Sequence, residues 1–538
     1  MEDLPVAIQH ATILDLPVHI LRDIFKHFED PRVEKKGRID FGEYRPMNNT
    51  DYQTLQSSRL TCRLLHDVAS EFTSFCIFSV RPHIAQHIRG VQVWLPYCPG
   101  EFATDLAMFN RHCKRVLTHL HEPCYYCDYR FRDNDDYTPA TSPDCESVRK
   151  ISDWWDEICN STPDEAEIVS NDPLARDYQS VLRRAFNQYQ QQHNEQLGLL
   201  VSGSFAHTIA SCVARLPNPL SLAFMDDRAQ DRPTWGPKDH LVRDREALQE
   251  ILSSPLSWKE IESLQETSWN SHPDGDSDDE IPGISGLVLT PARILTELPI
   301  AIHQVGSTVK SLYIGSFPCR GNFPNLCAAT DQGSSSAVWS DLQVACQDLR
   351  MVNFGGDHKV RYMGYQHISK SESSYVNHFV GSIISSPELE EVELNLGFFG
   401  RNSGMGIEIA DWQNQYDIST ILASAKWPRA RRLKIQNSAA DSTQLGGLIT
   451  GLGPSLESIR LSSVQLLNGS WVDILDSLRA KATSDYHSKH PEVDVTRLTG
   501  GEFEETKWRR KERAAINDVV RKYVSGVDDI QNPFSATS

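Results

Sequence analysis

A short pattern, apolar-x-x-apolar-x-apolar, recurs five times in the carboxy-terminal half of this chain. It reads Val309-x-x-Leu312-x-Ile314, Leu349-x-x-Val352-x-Phe354, Leu389-x-x-Val392-x-Leu394, Ala430-x-x-Leu433-x-Ile435 and Leu456-x-x-Ile459-x-Leu461. The middle positions are 40, 40, 41 and 26 residues apart. Alternation over the last three positions is that of a strand with one face turned inward. Helical periodicity precedes most copies, over 292–305, 375–385, 418–425 and 443–450, and another helix, 471–478, follows the last. One helix–strand unit cannot close a core, so neighbours must stack, with parallel strands on one side and helices on the other. An ordinary α/β domain with a parallel sheet uses strands of the same kind, so the pattern leaves both arrangements open.

The amino terminus adds a second feature. Asp15 can cap a helix whose first turn contains Pro17, and Ile20, Leu21, Ile24, Phe25 and Phe28 follow at helical spacing. In a second helical stretch Leu60, Leu64 and Val68 form one stripe, while Leu65, Ala69 and Phe72 form another, rotated from it. A module this small cannot bury all of that surface by itself, so the surplus points to a partner.

The residues Leu16-Pro17, Ile20-Leu21, Ile24-Phe25, Cys62-Arg63 and Ala69-Ser70 resemble the F-box, and the wider stretch with Arg89–Tyr97 is similar to a group of fungal F-box proteins. His19 replaces a usual acidic residue, Leu65 a frequent Trp, and the charged stretch 29–51 is longer than the usual linker. The carboxy-terminal pattern resembles an irregular leucine-rich repeat, with a long period and without the consensus asparagine in most units. The expected class is therefore α/β (α+β): a small helical F-box, then a leucine-rich-repeat-like solenoid of helix–strand units with parallel strands. The expected segments are the F-box module (12–78), a loop-rich first part of the repeat-like region (79–270), an acidic loop (271–283), the repeat-like region proper (284–483), and a terminal helix and tail (484–538).

Within 79–270, 91–95 and 219–224 read as strands, 102–117 and 176–213 as helices, and 121–175 as loop. At the end, 502–523 reads as a helix that caps the last repeat. The basic patch at 507–513 reads as a solvated helix face rather than a nuclear-import signal.

Composition narrows the function. No run of about 18 apolar residues suggests a membrane span, and the amino terminus lacks a basic-then-apolar leader. The expectation is a cytoplasmic or nuclear protein whose 12 cysteines are reduced. A formal charge of −19 argues against broad nucleic-acid binding. No phosphate loop, nucleophile elbow or His-Glu-x-x-His helix is present, and the glycine-rich 397–406 has the wrong spacing for a dinucleotide loop. Cys124-x-x-Cys127, with Cys113, His119 and His121 nearby, has metal-ligand spacing, but the second ligand pair is missing downstream. Neither a metal nor a cofactor is expected.

The F-box resemblance implies a non-catalytic substrate receptor of a Skp–cullin–F-box ubiquitin ligase. Leu16, Pro17, Ile20, Leu21, Ile24, Phe25, Leu60, Cys62, Leu64, Leu65 and Val68 would then meet a Skp-type adaptor, and through it a cullin. The repeat region would bind an unidentified target protein. Strand alternation turns Tyr313, Asn353, Glu393, Lys434 and Arg460 away from the core, with Ser311, Glu391, Arg432 and Ser462 beside them. These are the candidate target contacts, although Glu393 and Lys434 on neighbouring strands can also simply neutralise each other. The alternative is a repeat-type binding scaffold without a ligase role.

Overall fold

The computed structural model describes residues 85–86, 88–117, 173–218, 220–225, 244–265, 286–318, 321–327, 335–355, 368–399, 415–483, 491–503, 510–526 and 530–535. The expected F-box module, its eleven adaptor-contact residues, Cys124, Cys127 and the acidic loop lie outside them. The chain separates into two compact units, Met1–Arg89 with Ser211–Pro219, and Gly90–Ala210 with Leu220–Ser538. The second unit carries the sheet.

Its strands are β1 (Gly90–Trp94), β2 (Leu220–Met225), β3 (Val309–Ile314), β4 (Met351–Phe354), β5 (Glu391–Asn395), β6 (Tyr416–Asp417), β7 (Arg432–Ala440), β8 (Ser458–Leu466), β9 (Glu492–Thr496) and β10 (Thr499–Gly500). Among the described residues these ten form one sheet, ordered β1-β2-β3-β4-β5-β7-β8-β10, with β6 on β7 and β9 on β8. Every pairing is parallel. The class is α/β with an all-parallel sheet. All five copies of the apolar pattern coincide with strands, β3, β4, β5, β7 and β8.

The helices are α1 (Gly100–Thr104), α2 (residues 106–117), α3 (Pro173–Val201), α4 (Ser204–Val213), α5 (Arg245–Leu252), α6 (Trp258–Gln265), α7 (Ile294–Gln304), α8 (Ser335–Ala345), α9 (Lys370–Ile383), α10 (Ser419–Ser424), α11 (Ser442–Gly451), α12 (Trp471–Thr483) and α13 (Arg510–Val524). From α7 to α13 each packs on the next. The strand order never reverses, and right-handed crossovers in an order that never reverses put successive helices on the same face.

Register explains the core. Leu222, Leu312, Val352, Val392, Leu433, Ile459 and Val493 form one cross-strand row, and Phe224, Ile314, Phe354, Leu394, Ile435, Leu461 and Val495 form the next. All are buried, each worth roughly 1.5–3 kcal/mol. Beyond the strand ends Phe317 packs on Phe354, Phe379 and Phe399, with ring centroids 5.2, 5.1 and 5.7 Å apart. At the far edge α13 lies against β9 and α12, and Arg521 reaches Asp494 at 3.3 Å.

Several boundaries differ from the sequence reading. The helix expected over 102–117 breaks at Asp105, which is extended and accepts from the N–H groups of Ala107 and Met108, capping the helix that follows. The helix expected over 176–213 breaks before Ser204, where Gly203 has φ +66°. α8 was not expected, since it begins with Ser335-Ser336, a residue type common in loops, and burial of Trp339 and Leu342 holds it in place. α9 starts earlier than expected at a capping box, in which Ser369 Oγ accepts from Glu372 N–H and the Glu372 carboxylate accepts from Ser369 N–H.

One device repeats beyond the core. Asn437, Ser463 and Arg497 have φ of 50°, 54° and 55°. They stand at matching positions of three neighbouring chain segments, bracketed by Gln436↔Ser462↔Thr496 and Gln465↔Thr499. The left-handed residue bends each strand at the same level, so pairing continues past the bend.

Candidate functional site

The five residues expected on the outward face come together. Tyr313 pairs with Asn353, Asn353 with Glu393, Glu393 with Lys434, and Lys434 with Arg460. They make one continuous row across β3, β4, β5, β7 and β8. Register extends it to Ala223 and Gln92 on one side and Asp494 on the other.

Within the row polar groups satisfy one another. Glu393 accepts from Asn353 Nδ2 at 3.0 Å and from Lys434 Nζ. Their side chains are only 17 % (Glu393) and 22 % (Lys434) exposed, so water repairs a broken contact only in part. Arg460 pairs with Asp494 at 3.4 Å and with Glu492 at 4.0 Å. In the adjacent row Arg432 lies 3.1 Å from Glu391. Burial pushes the Glu391 carboxyl up, against the opposing pull of Arg432 and Arg431.

A third ladder runs just ahead of the strands, where signs alternate through Arg350, Glu390, Arg431 and Glu457. Backbone bonds follow the same positions, from Glu390 N–H to Arg350 O at 2.7 Å and from Arg431 N–H to Glu390 O at 2.7 Å. Each exposed pair adds less than about 1 kcal/mol. Their joint effect is a surface whose charges are matched internally. Chemically, the β5–β9 part of this face offers directional hydrogen bonds rather than a net field.

A second site has no counterpart in the sequence reading. Tyr97, Gly100, Glu101, Thr104, His193, Leu197, Val288 and Thr290 line a cleft of about 300 Å³. Tyr97 is fixed by a two-way backbone bridge with Leu256, at 2.8 and 2.9 Å. Trp258 Nε1 secures the same segment by donating to Leu95 O at 2.7 Å. The Tyr97 hydroxyl donates to Thr290 Oγ1 at 3.3 Å, and burial pushes it up, so it keeps its proton. His193 Nδ1 lies 2.7 Å from Cys98 O. Glu101 Oε1 accepts from Val288 N–H at 3.0 Å.

The neighbouring Cys98 is no activated nucleophile. Burial pushes its thiol up to about 12, and His193 bonds the cysteine's carbonyl instead of its sulfur. Among the described residues no group of three or more His, Cys, Asp and Glu side chains is placed to hold a metal. Cys113 is buried in α2. No single described helix is long and apolar enough to cross a membrane.

Searches against protein-family models, curated proteins and solved structures match nothing to this chain.

Proposed function

We propose that this chain is a target-recognition subunit of a Skp–cullin–F-box ubiquitin ligase. The observation that carries the proposal is the ordered set Leu16-Pro17, Ile20-Leu21, Ile24-Phe25, Cys62-Arg63 and Ala69-Ser70 in one amino-terminal window. Its two stretches of helical spacing carry more apolar residues than a small module hides, which is what an adaptor-docking element requires. On this reading the helix–strand units form a repeat-like array whose outward row, Tyr313 to Arg460, meets the target. The chain forms and breaks no bonds. It raises the concentration of target lysines near a ubiquitin-charged enzyme held elsewhere in the complex, in the cytoplasm or nucleus. The matched charges of the row support a selective, hydrogen-bonding protein partner over nucleic acid, whose phosphates an excess of cations would draw.

Leu21→Asp tests the docking half. A charge introduced into an apolar contact leaves an unpaired ion on association, so co-purification of the Skp-type adaptor with the full chain should be lost. Undiminished recovery of the adaptor would refute the proposal. Affinity purification with the proteasome blocked would then identify the target.

A second reading, a binding scaffold without a ligase, is favoured by one observation. The whole polar row belongs to the larger unit, so target binding would not require the amino-terminal stretches. Retained target binding together with absence of the adaptor from purified complexes would select it.

A further inference from the structure

We propose that the cleft formed by the β1–α1 segment, α3 and residues 288–290 binds a cationic hydrogen-bond donor, an ammonium or guanidinium group, against Glu101 and His193. At about 300 Å³ it stands at the lower end of small-ligand sites.

Two acceptors stand in its lining, His193 and Glu101. His193 Nδ1 is 2.7 Å from a carbonyl oxygen. A carbonyl only accepts, so Nδ1 carries a proton, and in that tautomer Nε2 is the ring's acceptor. Gly100 lies against that edge of the ring without a side chain, and a Cβ there would stand 3.3 Å from Nε2. Glu101 Oε1 has the Val288 N–H, whereas Oε2 is buried without any partner. Two of the cleft's hydroxyl donors are already engaged: the Tyr97 hydroxyl bonds Thr290 Oγ1, and the Thr104 hydroxyl bonds Gly100 O at 2.9 Å. A cleft that holds a carboxyl oxygen lacking a partner is relieved by a donor, and best by a charged one. The terminal torsion of a glutamate side chain is broad, so on this proposal the carboxyl group rotates toward the cleft and exchanges the Val288 N–H for the ligand.

This chemistry has two sources, a free small cation or an arginine or lysine side chain of a bound protein segment. The test titrates the full chain with methylguanidinium and butylammonium, using neutral methylurea as the control. A second arm uses a short peptide with a central arginine and its alanine counterpart. The expected result is saturable methylguanidinium binding with a Kd near or below about 1 mM and no binding of methylurea. Glu101→Gln should weaken binding at least tenfold with an unchanged melting temperature. Thr104→Met, at an exposed position on the rim, should block the cleft and leave the carboxyl group intact, and it decides the matter if Glu101→Gln fails to fold. Tighter, competing binding of the arginine peptide assigns the site to a protein segment; binding of the free cation alone assigns it to a small ligand. Absence of saturable binding by both cations, equal binding of methylurea, or undiminished binding in the variants would overturn the proposal. The result is independent of adaptor docking, which Leu21→Asp tests at different residues.

Discussion

Replacing Glu393 with alanine should destabilise the larger unit more than replacing Lys434 does, and the two effects should not add. Glu393 holds two partners, Asn353 at 3.0 Å and Lys434, while Lys434→Ala leaves Glu393 still bonded to Asn353. Hydrogen bonds to a charged group contribute about 1.5–3 kcal/mol each when water cannot replace them. With about a fifth of each side chain exposed, part of that loss is recovered by solvent. Glu393→Ala should therefore cost about 2–3 kcal/mol and Lys434→Ala about 1 kcal/mol. Removing both leaves no part-buried charge behind, so the double variant should fall short of the summed cost by about 1 kcal/mol. Urea unfolding followed by tryptophan fluorescence, with the four proteins compared at equal slope, measures this. A coupling indistinguishable from zero, or a larger cost for Lys434→Ala, would refute the account of the row as an internally satisfied network. Loss of target affinity in the double variant would show that the pair also serves recognition.

Two further outcomes follow from burial. Phe379→Ala removes a fully buried ring that contacts Phe317 and Phe354, and should cost about 3–5 kcal/mol in the same assay; a cost under about 1 kcal/mol would mean the phenylalanine cluster is not packed as described. Burial pushes the thiols of Cys98 and Cys346 up to about 12 and that of Cys327 to about 11, from an ordinary 9.0. The folded chain therefore holds these protons more tightly than the unfolded one. Their contribution to stability is complete below pH 9.0, declines as pH rises from there, and is lost by about 12. Alkylation of native protein near about pH 8 should spare Cys346 until the chain unfolds, and rapid native labelling at that site would contradict its burial.

Strand positions were legible in the sequence because alternation is a local property. Leu312 and Ile314, or Val392 and Leu394, declare a buried face within three residues. The outward row was legible for the same reason: a residue between two buried ones in a strand points the other way. Helix ends were less so. Asp105 and Gly203 each interrupt an apolar pattern that continues beyond them, and Ser335 begins α8 with residues that otherwise mark loops. The short strand β9 was missed although Val493 and Val495 alternate, since two apolar residues among charges are a faint signal.

By itself, then, the sequence determined where the five patterned strands lie, most of the helices beside them, and which side chains of those strands turn outward. Those properties depend on neighbours one to four residues away. Tertiary structure alone decided that the strands lie in chain order with Tyr313, Asn353, Glu393, Lys434 and Arg460 in a single register, and that Glu393 bridges Asn353 and Lys434. It alone assembled the cleft, whose residues at 97–104, 193 and 288–290 carry no shared motif. Their juxtaposition results from the Tyr97–Leu256 bridge and the packing of α3, contacts between distant parts of the chain that no local pattern encodes.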